Sequence, residues 1–224
     1  MSADDPDSAG VTRREIAVAR VLDEARVRAE TRLQSFLDAA GHLLNTRPAH
    51  DFTVQEVVER SGQSLRSFYQ YFGGKDELLL ALFEDAVWAT AERLRATVAT
   101  TADPSEQLRT LIGEYYRLCR GQGDPETGAS GLSPALANFA QELLTQSPDK
   151  ASAAFQPLRA LAEEILETAA EAGVVRRLNT GLASGVLLQV VMFSAFADAI
   201  TNLGAEQEHS EELQQLLLGG LRNS

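Results

Sequence analysis

The stretch FTVQEVVERSGQSLRSFYQYFGGKDELLL, residues 52–80, constrains the fold more than any other part of this 224-residue chain. Thr53 and Glu56 form the pattern of a capping box, in which a hydroxyl and a carboxylate satisfy backbone N–H groups that a helix N-terminus leaves unpaired. Gly62 follows eight residues of helical apolar spacing and predicts a left-handed stop. The stretch therefore predicts two short helices joined by a tight turn and followed by a third, which is the outline of a helix-turn-helix.

The second of these helices presents two different faces. Ser64 is placed to cap its N-terminus. Its apolar residues recur at helical spacing and are predicted to face inward: Leu65, Phe68, Tyr69 and Phe72. That spacing turns Arg66, Ser67 and Gln70 toward solvent. We therefore predict an exposed polar surface on this helix that can read base edges in a DNA groove.

Several positions in this stretch carry a recognisable motif. They are a threonine before the first helix, a Ser-Gly turn, a Tyr-x-Tyr-Phe run and a following lysine: Thr53, Ser61-Gly62, Tyr69 to Phe72 and Lys75. With these residues the chain resembles the TetR family of bacterial transcriptional regulators, over about residues 33–86. Gln63, Arg66 and the Gly73-Gly74 pair depart from the residues most common in that family, which bears on base contacts and not on the fold.

The resemblance implies an all-α protein of about nine helices. It implies a helix-turn-helix DNA-binding domain with an extended first helix over residues 12–75, and a helical effector-binding and dimerisation domain over residues 76–224. The acidic composition of residues 1–11, with Pro, Ser and Gly, predicts a disordered tail. A regulator of this type is expected to act in the cytoplasm as a homodimer on double-stranded DNA with a palindromic operator. We expect a repressor that a small apolar or amphipathic effector releases, although activation is also compatible.

The predicted DNA contacts divide into two roles. Arg66 can make a bidentate contact to guanine, whereas Gln63 and Gln70 can serve adenine or a phosphate. The resemblance assigns contacts with the phosphate backbone to Thr53, Tyr71 and Lys75. Tyr69 either stacks on a sugar or thymine methyl or completes the apolar stripe. The full predicted set is Thr53, Gln63, Ser64, Arg66, Ser67, Tyr69, Gln70, Tyr71 and Lys75.

A second basic feature precedes this motif. On a helical wheel, five of the six arginines between residues 13 and 32 fall within an arc of roughly 120°. They are Arg13, Arg14, Arg20, Arg28 and Arg32. The first four are predicted as accessory contacts along phosphate or in a minor groove, and the alternative is an ordinary solvated face.

The charge of the chain bears on DNA binding. The formal net charge of −12 argues against a nucleic-acid partner. The acid is concentrated after residue 75, however, because residues 12–75 carry 10 Lys and Arg against 8 Asp and Glu, whereas residues 76–224 carry 10 against 21. The first half is thus modestly basic. The competing interpretation, which the acidic total favours, is a helical protein-interaction module that keeps the helix-turn-helix shape without reading DNA.

No catalytic, metal-binding or cofactor-binding pattern is found in the sequence. Cys119 is the single cysteine, and the three histidines lie far apart in the chain. No glycine-rich nucleotide motif or nucleophile motif is present. We therefore predict neither an enzyme nor a cofactor. The first thirty residues have no apolar run typical of a signal peptide, and the uncharged run at residues 178–197 favours a buried helix over a membrane span.

The second half is predicted to be helical throughout. Helices are expected over residues 76–98, 103–120, 134–146, 148–172, 179–203 and 211–221, with a loop at 121–131. The helix near residues 182–203 is apolar almost all round, so it lies either in a subunit core or in a homodimer contact, as the resemblance implies for the last two helices. Soft and aromatic residues are the candidates for an effector pocket, or ordinary core: Phe83, Trp88, Tyr115, Tyr116, Cys119, Phe139, Phe155, Met192 and Phe193.

Overall fold

Ten α-helices and no strand form the part of the chain that the computed structural model describes, which comprises residues 12–44, 46, 51–120, 134–201 and 206–222. The helices are α1 Arg13–Leu44, α2 Val54–Ser61, α3 Leu65–Tyr71, α4 Lys75–Val98, α5 Pro104–Cys119, α6 Pro134–Gln146, α7 Pro148–Ala154, α8 Gln156–Glu171, α9 Thr180–Thr201 and α10 Glu206–Leu221. The all-α fold class is confirmed. The predicted tail at residues 1–11 and the predicted loop at 121–131 lie outside the described residues.

The local signals around α2 and α3 act as predicted. The backbone N–H of Thr53 donates to the Glu56 carboxylate at 2.8 Å, and the Thr53 hydroxyl accepts from the Glu56 N–H at 3.3 Å, so the capping box is formed. Gly62 ends α2 in the left-handed region at φ 67°. The Ser64 hydroxyl accepts from the Ser67 N–H at 3.1 Å at the start of α3.

An aromatic cluster holds the first three helices together. Phe36 of α1 meets Phe68 of α3 edge to face at 5.5 Å between ring centroids, and Phe72 at 6.2 Å. These three rings are almost completely buried, together with Val57 and Val58 of α2. Aromatic pairs in this geometry contribute roughly 0.5–1.5 kcal/mol beyond the area that they bury. The cluster therefore fixes the orientation of α3 against α1.

The first helix extends well beyond this cluster. A capping box at Thr12 and Glu15 starts α1, with the Thr12 N–H donating to the Glu15 carboxylate at 2.7 Å. Residues 12–28 are all exposed, and burial in α1 starts only near Phe36. The first half of α1 thus projects from the domain without packing on it.

The second half of the chain packs around α4, α5, α8 and α9. α8 and α9 lie against each other, and both also pack on α5. Phe83 of α4 meets Phe155 at 5.2 Å and Phe139 of α6 at 6.1 Å between ring centroids. Since α4 begins directly after the α3 segment and runs into this core, it connects the two halves of the molecule.

Two helix boundaries differ from the predictions. The helix predicted over residues 148–172 is interrupted at Phe155, which separates α7 from α8. Pro157 explains the interruption, because a proline ring has no N–H to donate and collides with the carbonyl four residues earlier in a continuous helix. The last helix begins at Glu206, earlier than the predicted residue 211.

α9 has the composition of a membrane span but packs on other helices. By length and hydropathy alone, Thr180–Asp198 is long and apolar enough to cross a membrane, and 39% of this window is buried inside the fold. Asn179 caps the helix by accepting from the Leu182 N–H at 2.9 Å. Its inner side packs on α5 and α8, so one face of the apolar helix belongs to the core, as predicted.

The C-terminal helix contacts other parts of the fold near both of its ends. Near its end, the Arg176 N–H donates to the Leu221 carbonyl at 2.9 Å, and Val175 pairs with Arg222 in an isolated β-bridge. Near its start, His209 lies 3.2 Å from the carboxylate of Asp198 in α9, which also accepts from the Tyr116 hydroxyl of α5. α10 is thereby held to α9, α5 and the connection between α8 and α9.

Candidate nucleic-acid interface and internal cavity

The outer face of α3 is larger than predicted. Arg66 and Gln70 are exposed, as expected, but Leu65 and Tyr69 are also 42% and 57% exposed. The prediction that Leu65 faces inward is wrong, and of the two alternatives for Tyr69, the exposed one agrees with the structure. The core covers Phe68 and Phe72, whereas Leu65 and Tyr69 lie together along one side of this pair and remain exposed. The result is a surface of mixed polar and apolar character.

The remaining polar residues near α3 serve local structure. Gln63 in the turn is partly exposed, and Ser64 caps α3. The prediction that Ser67 faces solvent is wrong, because its hydroxyl is buried, and this hydroxyl has no hydrogen-bond partner among the described residues. A buried hydroxyl without a partner is unfavourable. Among the predicted DNA-contacting residues, Ser67 is the one whose side chain has such a buried and unpaired hydrogen-bonding group.

The three predicted phosphate contacts are already engaged within the protein. The Thr53 hydroxyl donates to the Glu56 carboxylate at 3.0 Å, and Tyr71 is half-buried with its ring 6.2 Å from that of Phe36. The Lys75 ammonium donates to the Phe52 carbonyl at 3.1 Å and stands 5.4 Å from the centroid of the Phe52 ring. Lys75 therefore ties the start of α4 to the segment before α2.

The predicted accessory arginines of α1, Arg13, Arg14, Arg20 and Arg28, form an arginine stripe whose charge is partly neutralised by a carboxylate. Glu24 lies 3.4 Å from Arg20 and 3.9 Å from Arg28, so one carboxylate serves two of the predicted accessory contacts. Arg13 and Arg14 form no ion pair among the described residues. All four side chains lie on the exposed part of α1. Exposed pairs of this kind contribute little stability, so they leave the arginines available to another anion.

A cavity of about 310 Å³ lies between α5, α6, α7, α8 and α9. Its lining residues are Tyr115, Leu144, Pro148, Ala151, Ser152, Phe155, Arg159, Gly181, Leu182, Gly185, Val186, Leu188, Gln189 and Met192. Three of the predicted pocket residues are among them: Tyr115, Phe155 and Met192. The cavity is mostly apolar, with Arg159 as its one charged lining residue.

The other predicted pocket residues lie elsewhere. Four are core residues outside the cavity lining: Phe83, Tyr116, Cys119 and Phe139. Trp88 is 59% exposed on α4, and Phe193 is 46% exposed on α9. The sequence signal for a pocket was aromatic character, which does not separate core, surface and cavity. Arg159, Ser152 and Gln189 were missed because nothing local in the sequence distinguishes them from solvated residues.

Burial changes the protonation of two groups beside the cavity. Burial, and next its interaction with Cys119, raises the pKa of the Tyr115 hydroxyl well above its ordinary value. Burial likewise raises the pKa of the Cys119 thiol to about 12. Both groups are therefore neutral at physiological pH, and the thiol is not an activated nucleophile. Within the described residues, no group of His, Cys, Asp and Glu side chains could hold a metal ion.

An exposed apolar stripe runs along the outer face of α9. It comprises Leu182, Val186, Val190 and Phe193, which recur at helical spacing. Leu216 of α10 is 75% exposed. A continuous apolar row of this length on a surface helix is unusual for a monomer and typical of a protein contact. We refer to these five residues as the α9–α10 stripe.

A protein-family model matches the N-terminal part of the chain. The family model for the bacterial regulatory proteins of the tetR family matches residues 36–82, which run from the buried end of α1 into α4. Over this segment, the chain is similar to the TetR family. The match includes α2, α3 and the aromatic cluster that orients them.

Curated proteins match part of the chain. The chain is 31% identical over 85 residues to the HTH-type transcriptional regulator BetI of Brucella anthropi, and 25% identical over 85 residues to the fatty acid metabolism regulator protein of Bacillus subtilis. Each match covers 38% of this chain and 44% of the relative. The chain thus matches less than half the length of these TetR-family relatives.

Solved structures resemble the whole fold. The transcriptional regulator FadR of Bacillus subtilis, in complex with stearoyl-CoA, has a TM-score of 0.66 and 20% identity, covering 84% of this chain and 99% of that chain. A TetR-family transcriptional regulator from Pectobacterium atrosepticum has a TM-score of 0.66 and 18% identity, covering 89% and 98%. AibR, in complex with isovaleryl coenzyme A and operator DNA, has a TM-score of 0.59 and 18% identity, covering 84% and 98%. At these identities the likeness shows the TetR-like fold.

Proposed function

We propose that this protein is a ligand-responsive transcriptional regulator that binds a palindromic operator as a homodimer and acts as a repressor. The observation that carries the proposal is the exposed face of α3, with Arg66, Tyr69 and Gln70, inside the segment that matches the TetR family. An exposed short helix of this kind can enter the major groove, where arginine and glutamine distinguish guanine and adenine. Arg66 and Gln70 would read bases, and the other α3 residues would position the helix.

Contacts with phosphate require rearrangement of side chains that are engaged in the free protein. Lys75 would exchange the Phe52 carbonyl for a phosphate oxygen, and Thr53 and Tyr71 would turn from their contacts with Glu56 and Phe36 toward the DNA backbone. Such contacts fix orientation without reading sequence. The arginines at the start of α1 would add accessory contacts, because they lie on a projecting and exposed helix.

The α9–α10 stripe supports a homodimer as the DNA-binding species. A second copy would cover the exposed apolar row by a two-fold contact, in which the same surface meets itself. Two α3 helices related by that axis would then face two half-sites of a palindrome. The dimerisation region would lie in the second half of the chain, over residues 76–224, and the DNA-binding region over residues 12–75.

The cavity supports an effector site, and α7 offers a route from it to the DNA-binding half. α7 contributes Ala151 and Ser152 to the cavity, while Lys150 lines a cleft at the start of α4. Lys75 and Asp76, directly after α3, line the same cleft. A shift of α7 on effector binding would thus be transmitted to the segment that carries α3. The similar folds of FadR with stearoyl-CoA and AibR with isovaleryl coenzyme A and operator DNA agree with this arrangement.

We further infer that the protein acts in the cytoplasm and is not an enzyme. The similar curated proteins are transcriptional regulators, and the family model matches residues 36–82, which include the helix-turn-helix that this function requires. The groups beside the cavity are neutral and unactivated, which suits binding better than catalysis.

The decisive experiment is selection of genomic fragments that the purified protein retains, followed by fluorescence anisotropy on the recovered sequence. We expect a palindromic site that binds far more tightly than random DNA of equal length, with affinity that falls as salt rises. Equal affinity for both DNAs, or no binding at low salt, would reject the proposal and favour the protein-interaction module. The genes beside the recovered site would also indicate the regulated process.

A further inference from the structure

The internal cavity contains one cation that the protein does not neutralise. Arg159 of α8 is the charged lining residue of a cavity that is otherwise mostly apolar. Its Nε is buried and has no hydrogen-bond partner among the described residues, and no Asp or Glu of those residues forms an ion pair with it. A buried guanidinium nitrogen without an acceptor is unfavourable, so a bound molecule that offers a hydrogen-bond acceptor would be stabilised here.

The carboxylates near Arg159 are committed elsewhere. Glu164 on the same helix pairs with Arg95 of α4 at 2.8 Å. Glu163 and Glu167 lie 3.4 Å and 3.3 Å from the Thr180 hydroxyl at the start of α9. The carboxylates close to Arg159 in sequence therefore interact with other residues. Arg159 itself has no carboxylate partner among the described residues.

A second buried donor lines the same cavity. Tyr115 is fully buried, and its hydroxyl has no partner among the described residues other than the nearby Cys119 thiol, which is a weak one. Because burial keeps the phenol neutral, it can donate a hydrogen bond to an oxygen of a bound molecule. Arg159 and Tyr115 are thus two donors without an adequate acceptor that line the same cavity.

The other lining residues determine the polarity and size of the ligand that the cavity can bind. Leu144, Phe155, Leu188 and Met192 are apolar or soft and leave no further charge to be matched. The volume of about 310 Å³ is at the lower end of the range for small-molecule pockets. A compact apolar body fits this wall, whereas a doubly charged head group would lack a second cation.

We propose that the cavity binds an amphipathic monocarboxylate, with Arg159 holding the carboxylate and the apolar body lying against Phe155, Leu188 and Met192. A planar guanidinium matches a carboxylate in charge and in the geometry of paired hydrogen bonds. Tyr115 donates to a ligand oxygen. The proposal deepens the proposed function, because it names the chemical class of the effector at the site that regulates DNA binding.

Isothermal titration calorimetry of the full-length protein tests the head group with probes of equal chain length: octanoate, 1-octanol, octylammonium and octyl phosphate. We expect octanoate to bind at least about tenfold more tightly than 1-octanol, as a charged hydrogen-bonded pair requires. Octylammonium is expected not to bind. No binding of octanoate, equal affinity for the acid and the alcohol, or tighter binding of octyl phosphate would overturn the proposal.

Variants then assign the preference to Arg159. Arg159→Gln should remove the preference for octanoate over 1-octanol, and Arg159→Lys should retain part of it. Arg109→Gln is the matched control, because Arg109 is an arginine of α5 that pairs with Glu106 at 3.5 Å and does not line the cavity. Circular dichroism checks that each variant is folded. A full preference in folded Arg159→Gln contradicts the assignment, and the comparison of probes on the unaltered protein decides the matter if that variant does not fold.

Failure of this proposal is distinguishable from failure of the proposed function. Octanoate binding is measured without DNA, and operator binding is measured without octanoate. A protein that binds its operator but prefers the alcohol contradicts only the carboxylate assignment. A protein that binds octanoate through Arg159 but no operator contradicts only the DNA-binding function.

Discussion

At the scale of single residues, Arg66 is the side chain on which sequence reading is expected to depend. It is exposed on α3. We expect Arg66→Ala to reduce the difference in binding free energy between operator and random DNA by about 1–3 kcal/mol, since one bidentate base contact is lost. Fluorescence anisotropy on both DNAs measures the difference.

Arg60→Ala on the exposed surface of α2 is the control, because it should leave that difference unchanged. Lys75→Ala should weaken binding to both DNAs and also lower the stability of the domain, since Lys75 holds the Phe52 carbonyl. Equal losses on both DNAs for Arg66→Ala would show that Arg66 contacts only phosphate.

Cys119 provides a second test at this scale. Burial raises the pKa of its thiol to about 12, so at pH 8 only about one molecule in ten thousand carries the reactive thiolate. We expect 5,5′-dithiobis(2-nitrobenzoate) to leave Cys119 unmodified in the folded protein at pH 8 and to react with it in guanidinium chloride. Stoichiometric reaction of the folded protein within minutes would mean that the site opens or is exposed.

Residues whose role is local could be predicted from the sequence. The Thr53 and Glu56 capping box, the left-handed Gly62 and the Ser64 cap depend only on neighbours within four residues, and all are confirmed. Leu65 and Tyr69 depend instead on where α1 lies against α3. Periodicity assigned them to the inner face, but the Phe68 and Phe72 row is the part of α3 that the Phe36 ring covers.

At the scale of helices, the α9–α10 stripe carries the clearest prediction. We expect Val190→Glu to dissociate the dimer at micromolar concentration, because a charge without a partner would be buried in the contact. Multi-angle light scattering measures the mass. Gln141→Glu on the exposed surface of α6 adds the same charge away from the stripe and should remain dimeric.

The opposite pattern would show that the stripe is not the contact. A monomeric unaltered protein at that concentration, or a dimeric Val190→Glu variant, would each contradict the prediction. Loss of dimer in both variants would instead point to a general effect of added charge.

The helices themselves were predictable where a cap or a breaker marks them. Asp103 and Pro104 start α5, and the predicted bounds of α6 at residues 134–146 agree with the structure. The division between α7 and α8 was missed although Pro157 signals it, because the apolar spacing continues on both sides of Phe155. That division matters for function, since it leaves α7 as a separate short helix between the cavity and the start of α4.

At the scale of the whole molecule, the projecting start of α1 can be removed without touching the core. Residues 12–28 are exposed, so deletion of residues 1–28 should leave the melting temperature unchanged. If Arg13, Arg14, Arg20 and Arg28 contact phosphate, the deletion should weaken operator binding. It should also reduce the slope of log affinity against log salt by about 0.9 for each lost contact.

Both proteins are to be measured on one operator across a salt series. Unchanged affinity and slope would show that the arginines are a solvated face, in keeping with their pairing to Glu24. A lower melting temperature would contradict the absence of core contacts for residues 12–28. A change in oligomeric mass would reveal a role in dimer contact.

The candidate sites were only partly accessible to prediction. The residues of the proposed DNA surface are contiguous in sequence, so they could be named in advance. The cavity is assembled from five helices that are distant in sequence, and pattern alone could not separate Tyr115, Phe155 and Met192 from exposed Trp88 and Phe193. Arg159 could not be singled out from the sequence, because the lack of a hydrogen-bond partner for its buried Nε is seen only in the folded structure.

Leu182 and Val186 belong both to the cavity lining and to the exposed row of α9. In a dimer formed through that row, a bound molecule would touch the very side chains that meet the neighbouring subunit. The free energy of binding at one site would then depend on occupancy of the other, because both sites share one contact surface and coupling is reciprocal. We therefore expect the effector titration of the intact dimer to have a Hill coefficient different from one, and the titration of the Val190→Glu monomer to return to one.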